Sequence, residues 1–362
     1  MQYLFNQGNS HIRETKPYQA GKPIEEVERE FGVTNFKIIK LASNENPLGA
    51  SPNAIAAAIK AMNQVHIYPD ANYFRLRDTI AKYNNVDINN ITVGNGSENC
   101  LEILIKAFLN ENSNAIIDQY CFATIRILIK GYNATEIIVP SIQYRHNVVE
   151  TISKINKSTK MIFVVNPNNP TGTYISHDEL TYLLERIPPH IIVVIDEAYH
   201  EYVEKPDYPK SVQLLNKYPN LVISRTFSKV FGLAGMRLGY LITNPAISDL
   251  LHRSRLPFNV NSCAVEAGIA ALSDYEFLAN TKKANREGML QLTSGFDDFG
   301  IEYIPSVANF ITINTKQDAT LVYNKLLQQG IIVRPLAPYN MPEFLRITIG
   351  TYEDNERLLS II

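Results

Sequence analysis

Hydrophobic positions change period several times along the chain, and these changes predict its architecture. From about Pro52 the text alternates between helix-like stretches and short apolar runs. SPNAIAAAIKAMN reads as a helix capped by Ser51 with a proline in its first turn, and FRLRDTIAKYN and ENCLEILIKAFL read as two more. Between and after them lie NAIIDQY (114–120), TEIIVP (135–140), KMIFVVN (160–166), HIIVVID (190–196) and NLVISRT (220–226). Each is nearly all apolar, as strands buried on both faces of a parallel sheet are. The middle of the chain is therefore predicted to be an α/β domain with a mostly parallel sheet flanked by helices.

After about residue 258 the pattern becomes a long helical stretch, NSCAVEAGIAALSDYEFLANTKKANREGMLQL. NFITINT (309–315) and FLRITIGT (344–351) follow as strands, with the helical LVYNKLLQQG between them. This predicts a smaller α+β domain. The first forty or so residues are polar and irregular, and end in FKIIKLASNENPLG, which reads as an arm and a strand that could return to the smaller domain. The expected division is an arm and part of the small domain over 1–48, a large domain over 49–258, and the rest of the small domain over 259–362.

Composition narrows the function. With 45% apolar and 19% charged residues in 362, the chain has ample material for a packed core and is not a disordered scaffold. A formal charge of −2 leaves no electrostatic footprint for a nucleic acid or an anionic membrane, so the expected partner is a small molecule. Cys100, Cys121 and Cys263 are too few and too scattered for a disulfide framework. The N-terminus lacks a basic segment followed by an apolar one, and runs such as IIVVI stop far short of the ~20 residues that span a bilayer. A cytoplasmic protein without a membrane segment is expected.

Ligands of open α/β sheets collect at the carboxyl ends of the strands, so the text after each strand matters most. ITV at 91–93 ends in GNGSEN, which opens a helix and could hold a phosphate on its backbone N–H groups or be a capped turn. As a dinucleotide fingerprint it fails, because the third glycine would fall at Asn99. NPNNPTG (166–172) follows another strand and has the residues of ordinary turns. His200, beside Asp196 and Glu197, reads better as a loop cap than as a metal ligand, and no histidine spacing suggests a metal site. Lys229 is more telling, since it lies just past a buried strand in a Ser-, Gly- and Ala-rich segment. Thr226 and Ser228 offer hydroxyls and Arg237 a guanidinium, which with the Gly96–Ser97 helix start would form a cup for a dianionic phosphate. Asp196 offers a carboxylate for a protonated ring nitrogen, and Tyr199 a phenol. A lysine, a carboxylate for a pyridinium and a phosphate cup are what pyridoxal phosphate requires of a protein.

SNENPLG, YPD at 68–70, GNGSEN, NPNNPTG, DEAYHEY, RTFSKVFGLAGMRLGY and VRPLAPYNMPEFLRITIGT together resemble the fold-type I pyridoxal-phosphate-dependent aminotransferases, from about residue 40 to the end. Among them the histidinol-phosphate aminotransferases are most similar. The resemblance implies that Lys229 holds the cofactor as a Schiff base and moves the proton, and that Asp196 keeps the ring nitrogen protonated. It implies that Asn169 and Tyr199 bond the ring oxygen, and that Gly96, Ser97, Glu98, Thr226, Ser228 and Arg237 hold the phosphate. Phe122 falls where the family stacks an aromatic ring on the cofactor; many relatives have a tyrosine there, whereas this chain reads QYCFA. Arg346 and Arg334 match arginines that receive the substrate's anionic group, and Asn46 a further substrate contact. Tyr68 matches a tyrosine that reaches the neighbouring subunit's cofactor phosphate, which implies a homodimer. The implied reaction passes an amino group from histidinol phosphate to 2-oxoglutarate. Aromatic amino-acid transamination and threonine-phosphate decarboxylation stay open as alternatives, whereas a ligand-sensing regulator would need a DNA-binding segment for which the text before residue 40 shows no sign.

Overall fold

The apolar runs between residues 91 and 242 assemble into a seven-stranded sheet in the computed structural model, which describes residues 2–15, 17, 21–31 and 37–362. Parts of the expected arm (residues 1, 16, 18–20 and 32–36) thus lie outside the described residues. In chain order the strands are Ile91–Gly94 (β1), Asn114–Asp118 (β2), Thr135–Val139 (β3), Thr159–Val165 (β4), Ile192–Asp196 (β5), Leu221–Thr226 (β6) and Gly239–Ile242 (β7). Across the sheet their order is β1-β7-β6-β5-β4-β2-β3, with β7 antiparallel to both its neighbours and the remaining pairs parallel. β7 is not among the predicted strands, because four residues next to a glycine-rich loop are too few for a period to show.

Alternation of side chains explains the unbroken apolar text. Ile162, Val164, Val193, Ile195 and Ile223 pack on one face of the sheet, and Phe163, Val165, Val194 and Val222 on the other, all buried. The three predicted helices form at Pro52–Met62 (α1), Phe74–Asn84 (α2) and Ser97–Phe108 (α3). Ser51 caps α1 by accepting from the Ala54 N–H at 3.2 Å.

The stretch read as one helical run divides into Ser262–Leu272 (α4) and Tyr275–Asp298 (α5). Asp274 makes the break: its carboxylate accepts from the Phe277 N–H at 3.1 Å and from the Ser51 hydroxyl at 2.5 Å, tying the start of α5 to the start of α1. Ala264, Ala267 and Ala271 of α4 join the core cluster that holds Ala54 and Ala58 of α1, so α4 packs on α1 beside the large sheet.

A second, four-stranded antiparallel sheet is built from Glu302–Ile304 (β8), Phe310–Asn314 (β9), Arg334–Pro335 (β10) and Phe344–Thr348 (β11), in the order β10-β11-β9-β8. Ile311, Ile313, Leu345 and Ile347 bury against Leu292 and Phe296 of α5. Ile39–Lys40 pairs in parallel with Ile331–Ile332, and the Leu41 carbonyl accepts from the Thr348 N–H at 2.8 Å. Residues 39–41 therefore belong to the small body, and the chain crosses from it to the large one over residues 42–50. Among the described residues no helix is long and apolar enough to cross a membrane.

Candidate active site

β4, β5 and β6 end side by side, and their last residues, Val165, Asp196 and Thr226, line one cavity of about 250 Å³. That is the crevice at the carboxyl edge where open α/β sheets hold ligands. The small body closes its far side with Arg334 and Arg346, and the crossing segment adds Ala42, Ser43, Asn44 and Glu45.

Two ionisable groups in this cavity are buried without pairing to each other. Asp196 is 4% exposed, and its Oδ1 has no hydrogen-bond partner among the described residues. Burial pushes its carboxyl up to about 7, and the neighbouring Glu197 carboxylate acts in the same direction. Lys229 donates to the Ser43 carbonyl at 3.1 Å. Burial brings its ammonium down to about 8, helped by the Arg346 guanidinium. An orphaned, buried carboxylate oxygen fits a cationic N–H donor, such as a protonated pyridine nitrogen.

Tyr199 lies between these groups, its ring centroid 5.6 Å from Lys229 Nζ. Its oxygen accepts from Asn44 Nδ2 at 3.0 Å and Asn169 Nδ2 at 3.3 Å, and burial pushes the phenol up to about 12. Arg346 fixes the other end of Asn169 by donating to its Oδ1 at 2.5 Å, and it also donates to the Ala42 carbonyl at 2.6 Å. The rest of NPNNPTG spends its side chains on turn chemistry: Asn168 Nδ2 donates to Thr171 Oγ1 at 2.9 Å, and Thr171 bonds Thr173 at 2.9 Å.

At the other end the α3 N-terminus, Ser97, Thr226, Ser228 and Arg237 converge on the cavity. Gly96, at φ 87°, turns the chain into α3, and a Cβ there would meet Arg237 Nη2 at 2.7 Å. Thr226 Oγ1 lies 3.0 Å from Ser228 Oγ and accepts from the Ser228 N–H at 3.1 Å. Backbone N–H groups at a helix start, hydroxyls and a guanidinium form an anion site of the kind a phosphate occupies. Glu98 lines the site too, but its carboxylate pairs with Arg237 at 3.1 Å and accepts from Thr124 at 2.9 Å, so only its backbone N–H can serve an anion. Phe122, half-buried at the start of a helix over Ala123–Gly131, presents the aromatic surface of the cavity.

Arg334 and Arg346 stand directly opposite one another on β10 and β11, both buried and both lining the cavity. Like charges at such a pair repel, which suits an anion of more than one charge between them.

One residue expected to contact substrate does not reach the cavity. Asn46 turns away from it: its Nδ2 donates to the Val230 carbonyl at 3.0 Å and Thr281 Oγ1 at 3.1 Å, and its Oδ1 accepts from the Leu48 N–H at 3.0 Å. Asn44, at φ 54°, is the asparagine of SNEN that faces the site. The motif marked the segment, but choosing between the two asparagines needed the left-handed turn. Tyr68 is 78% exposed and stacks on Phe258 with ring centroids 4.7 Å apart, in a groove separate from this cavity. Among the described residues no group of three or more His, Cys, Asp or Glu could hold a metal.

An open α/β sheet with an anion cup, an orphaned carboxylate and a lysine of lowered basicity defines an enzyme site for a phosphorylated, ring-bearing ligand. The chain belongs to the aminotransferase class I and II family, whose model matches residues 37–362. It is 45% identical over 346 residues to histidinol-phosphate aminotransferase 1 of Nitrosococcus oceani, covering 96% of this chain and 93% of that one. It is 44% identical over 362 residues to histidinol-phosphate aminotransferase 2 of Haemophilus influenzae, covering 100% and 98%. Its fold matches the crystal structure of histidinol-phosphate aminotransferase from Sinorhizobium meliloti in complex with pyridoxal-5′-phosphate, with a TM-score of 0.90 at 23% identity over 99% of this chain and 97% of that one.

Proposed function

We propose that the protein is a pyridoxal-phosphate-dependent aminotransferase that moves the amino group of histidinol phosphate to 2-oxoglutarate, a step of histidine biosynthesis. The observation that carries this reading is the orphaned Asp196 oxygen in the same cavity as Lys229 and the Ser228–Arg237 anion cup, in a chain so similar to histidinol-phosphate aminotransferases. When bound, the cofactor supplies an electron-withdrawing ring conjugated to the carbon that carries the amine.

Each residue then has a task set by its chemistry. Lys229, with basicity lowered to about 8, presents a neutral amine in useful amounts near neutral pH; it would hold the cofactor aldehyde and, once the substrate amine has displaced it, would be the free base that moves the substrate proton. Asp196 keeps a proton on the ring nitrogen, whose positive charge in turn holds the carboxylate ionised. Tyr199 and Asn169 would hold the ring oxygen, Phe122 would offer its aromatic face to the ring, and Ser97, Thr226, Ser228 and Arg237 with the Gly96–Glu98 turn would hold the phosphate. Arg346 binds the carboxylate of 2-oxoglutarate, and Arg334 adds the second cation that a phosphate ester calls for.

The exposed Tyr68 completes the cofactor phosphate site of a second copy, making the active unit a homodimer. Three free cysteines, two of them buried, fit a reducing compartment and a cytoplasmic location. Borohydride reduction of the loaded protein should fix the pyridoxyl group on Lys229, as read by peptide mass. Steady-state kcat/KM should rank histidinol phosphate above phenylalanine and tyrosine, and the opposite ranking would transfer the assignment to aromatic amino acids.

A further inference from the structure

Asn44 has no part in the scheme above, yet it is 1% exposed and joins the two bodies of the molecule. Its backbone N–H donates to Thr348 Oγ1 at 2.9 Å, and its carbonyl accepts from Asn309 Nδ2 at 3.1 Å. The Thr348 hydroxyl in turn donates to Asn44 Oδ1 at 3.2 Å. The oxygen end of the Asn44 amide is thereby fixed on Thr348 and the nitrogen end on Tyr199 Oη. On the other side Arg346, which can only donate, fixes Asn169 in the same sense. Two amides thus donate to one phenol oxygen. The structure shows no acceptor for the phenol's own proton among the described residues, and the space left to it is the cavity.

We propose that Asn44, oriented by Thr348, is a positioning residue that holds Tyr199 as a hydrogen-bond donor into the cavity. Thr348 and Arg346 are two residues apart on β11 and so share a face, which lets one strand of the small body set both amides. Without the Thr348 hydroxyl the Asn44 amide is free to turn end for end. Its Oδ1 then accepts from Tyr199, and the phenol proton leaves the cavity. The inference rests on the reading that pyridoxal phosphate occupies this site with its ring oxygen near Tyr199. A donor there stabilises negative charge on the ring oxygen and makes the Lys229 nitrogen of the loaded protein a weaker base; losing it makes that nitrogen a stronger one.

The test is the pH titration of the visible absorbance of the cofactor-loaded protein, a readout independent of turnover. Thr348→Val should raise the midpoint by about 0.5 to 1 unit, roughly a three- to tenfold gain in proton affinity. Thr348→Ser, which keeps the hydroxyl, should titrate like the unmodified protein. Asn44→Gly tolerates the left-handed backbone, deletes the amide and should shift the midpoint upward as well. Lys229, Arg346 and Asp196, the charged groups around Tyr199, are unchanged in all three variants. Equal midpoints in Thr348→Val, Asn44→Gly and the unmodified protein would overturn the proposal, as would a Ser variant that shifts as far as Val. An unmodified protein that gains no visible band with pyridoxal phosphate would overturn the reading of the cavity, and this inference with it.

Discussion

Burying a carboxylate and an amine in one cavity without pairing them costs the empty protein stability. Asp196 is the clearer case. Its folded value, about 7, lies above the ordinary 3.8, so the folded state holds the proton over that interval, and the cost grows as pH rises from about 4 to 7. Asp196→Asn removes the charge. Calorimetry should therefore find the cofactor-free variant melting a few degrees higher than the parent at pH 8 and no higher at pH 4. The same change should cut turnover sharply, because an amide does not stabilise a proton on the ring nitrogen. A gain in stability with a loss of function marks a residue kept for its chemistry. Arg334 offers a second residue-scale test. Arg334→Ala should lower kcat/KM for histidinol phosphate by roughly 10- to 100-fold, about 1.4 to 3 kcal/mol for a charge-assisted contact, and affect glutamate much less. Equal losses for both donors would remove Arg334 from phosphate recognition.

The anion cup depends on how closely two elements approach. β7 begins at Gly239 against the turn into α3, and a Cβ on that glycine would meet the Ser97 nitrogen at 2.3 Å and the Gly96 carbonyl carbon at 2.6 Å. Both are backbone atoms, so a side chain there must push the helix start away from the sheet. Gly239→Ala should weaken pyridoxal phosphate binding by about tenfold or more, measured by equilibrium dialysis, since a shift of a few tenths of an ångström degrades several charge-assisted hydrogen bonds together. Unchanged affinity would mean that the α3 N-terminus does not hold the phosphate. The strand that delivers this glycine runs against its neighbours and was not legible in the text, whereas β4, β5 and β6 were plain from their unbroken apolar runs. Asp274 shows the same limit at a helix break, because a cap is visible in sequence only once its position relative to the helix start is known.

Among the described residues a contiguous apolar surface lies uncovered around α1. Ile55, Ile59 and Met62 lie along one face of α1, and with Val65, Ile67, Tyr68 and Phe74 they are between 45% and 78% exposed. The opposite face of α1, Ala54 and Ala58, is buried on α4. An apolar patch beside the Tyr68 groove suits an isologous contact. If the proposed homodimer forms through this patch, Ile59→Asp should dissociate it in sedimentation and lower cofactor affinity in parallel, because the phosphate site would lose the neighbouring Tyr68. A monomer that retains full cofactor affinity would contradict this. Local pattern alone determined the buried parallel strands and the helices between them, and it marked the lysine, aspartate, hydroxyls and arginine at the strand ends as candidates, since those signals are contiguous in sequence and follow from periodicity and charge. Only the tertiary structure decided that Asn44 rather than Asn46 faces the cavity, that Glu98 spends its carboxylate on Arg237, and that α4 packs on α1. It also set Arg334 opposite Arg346. These outcomes depend on contacts between segments far apart in the chain and on a single left-handed backbone angle, neither of which any local pattern of residues encodes.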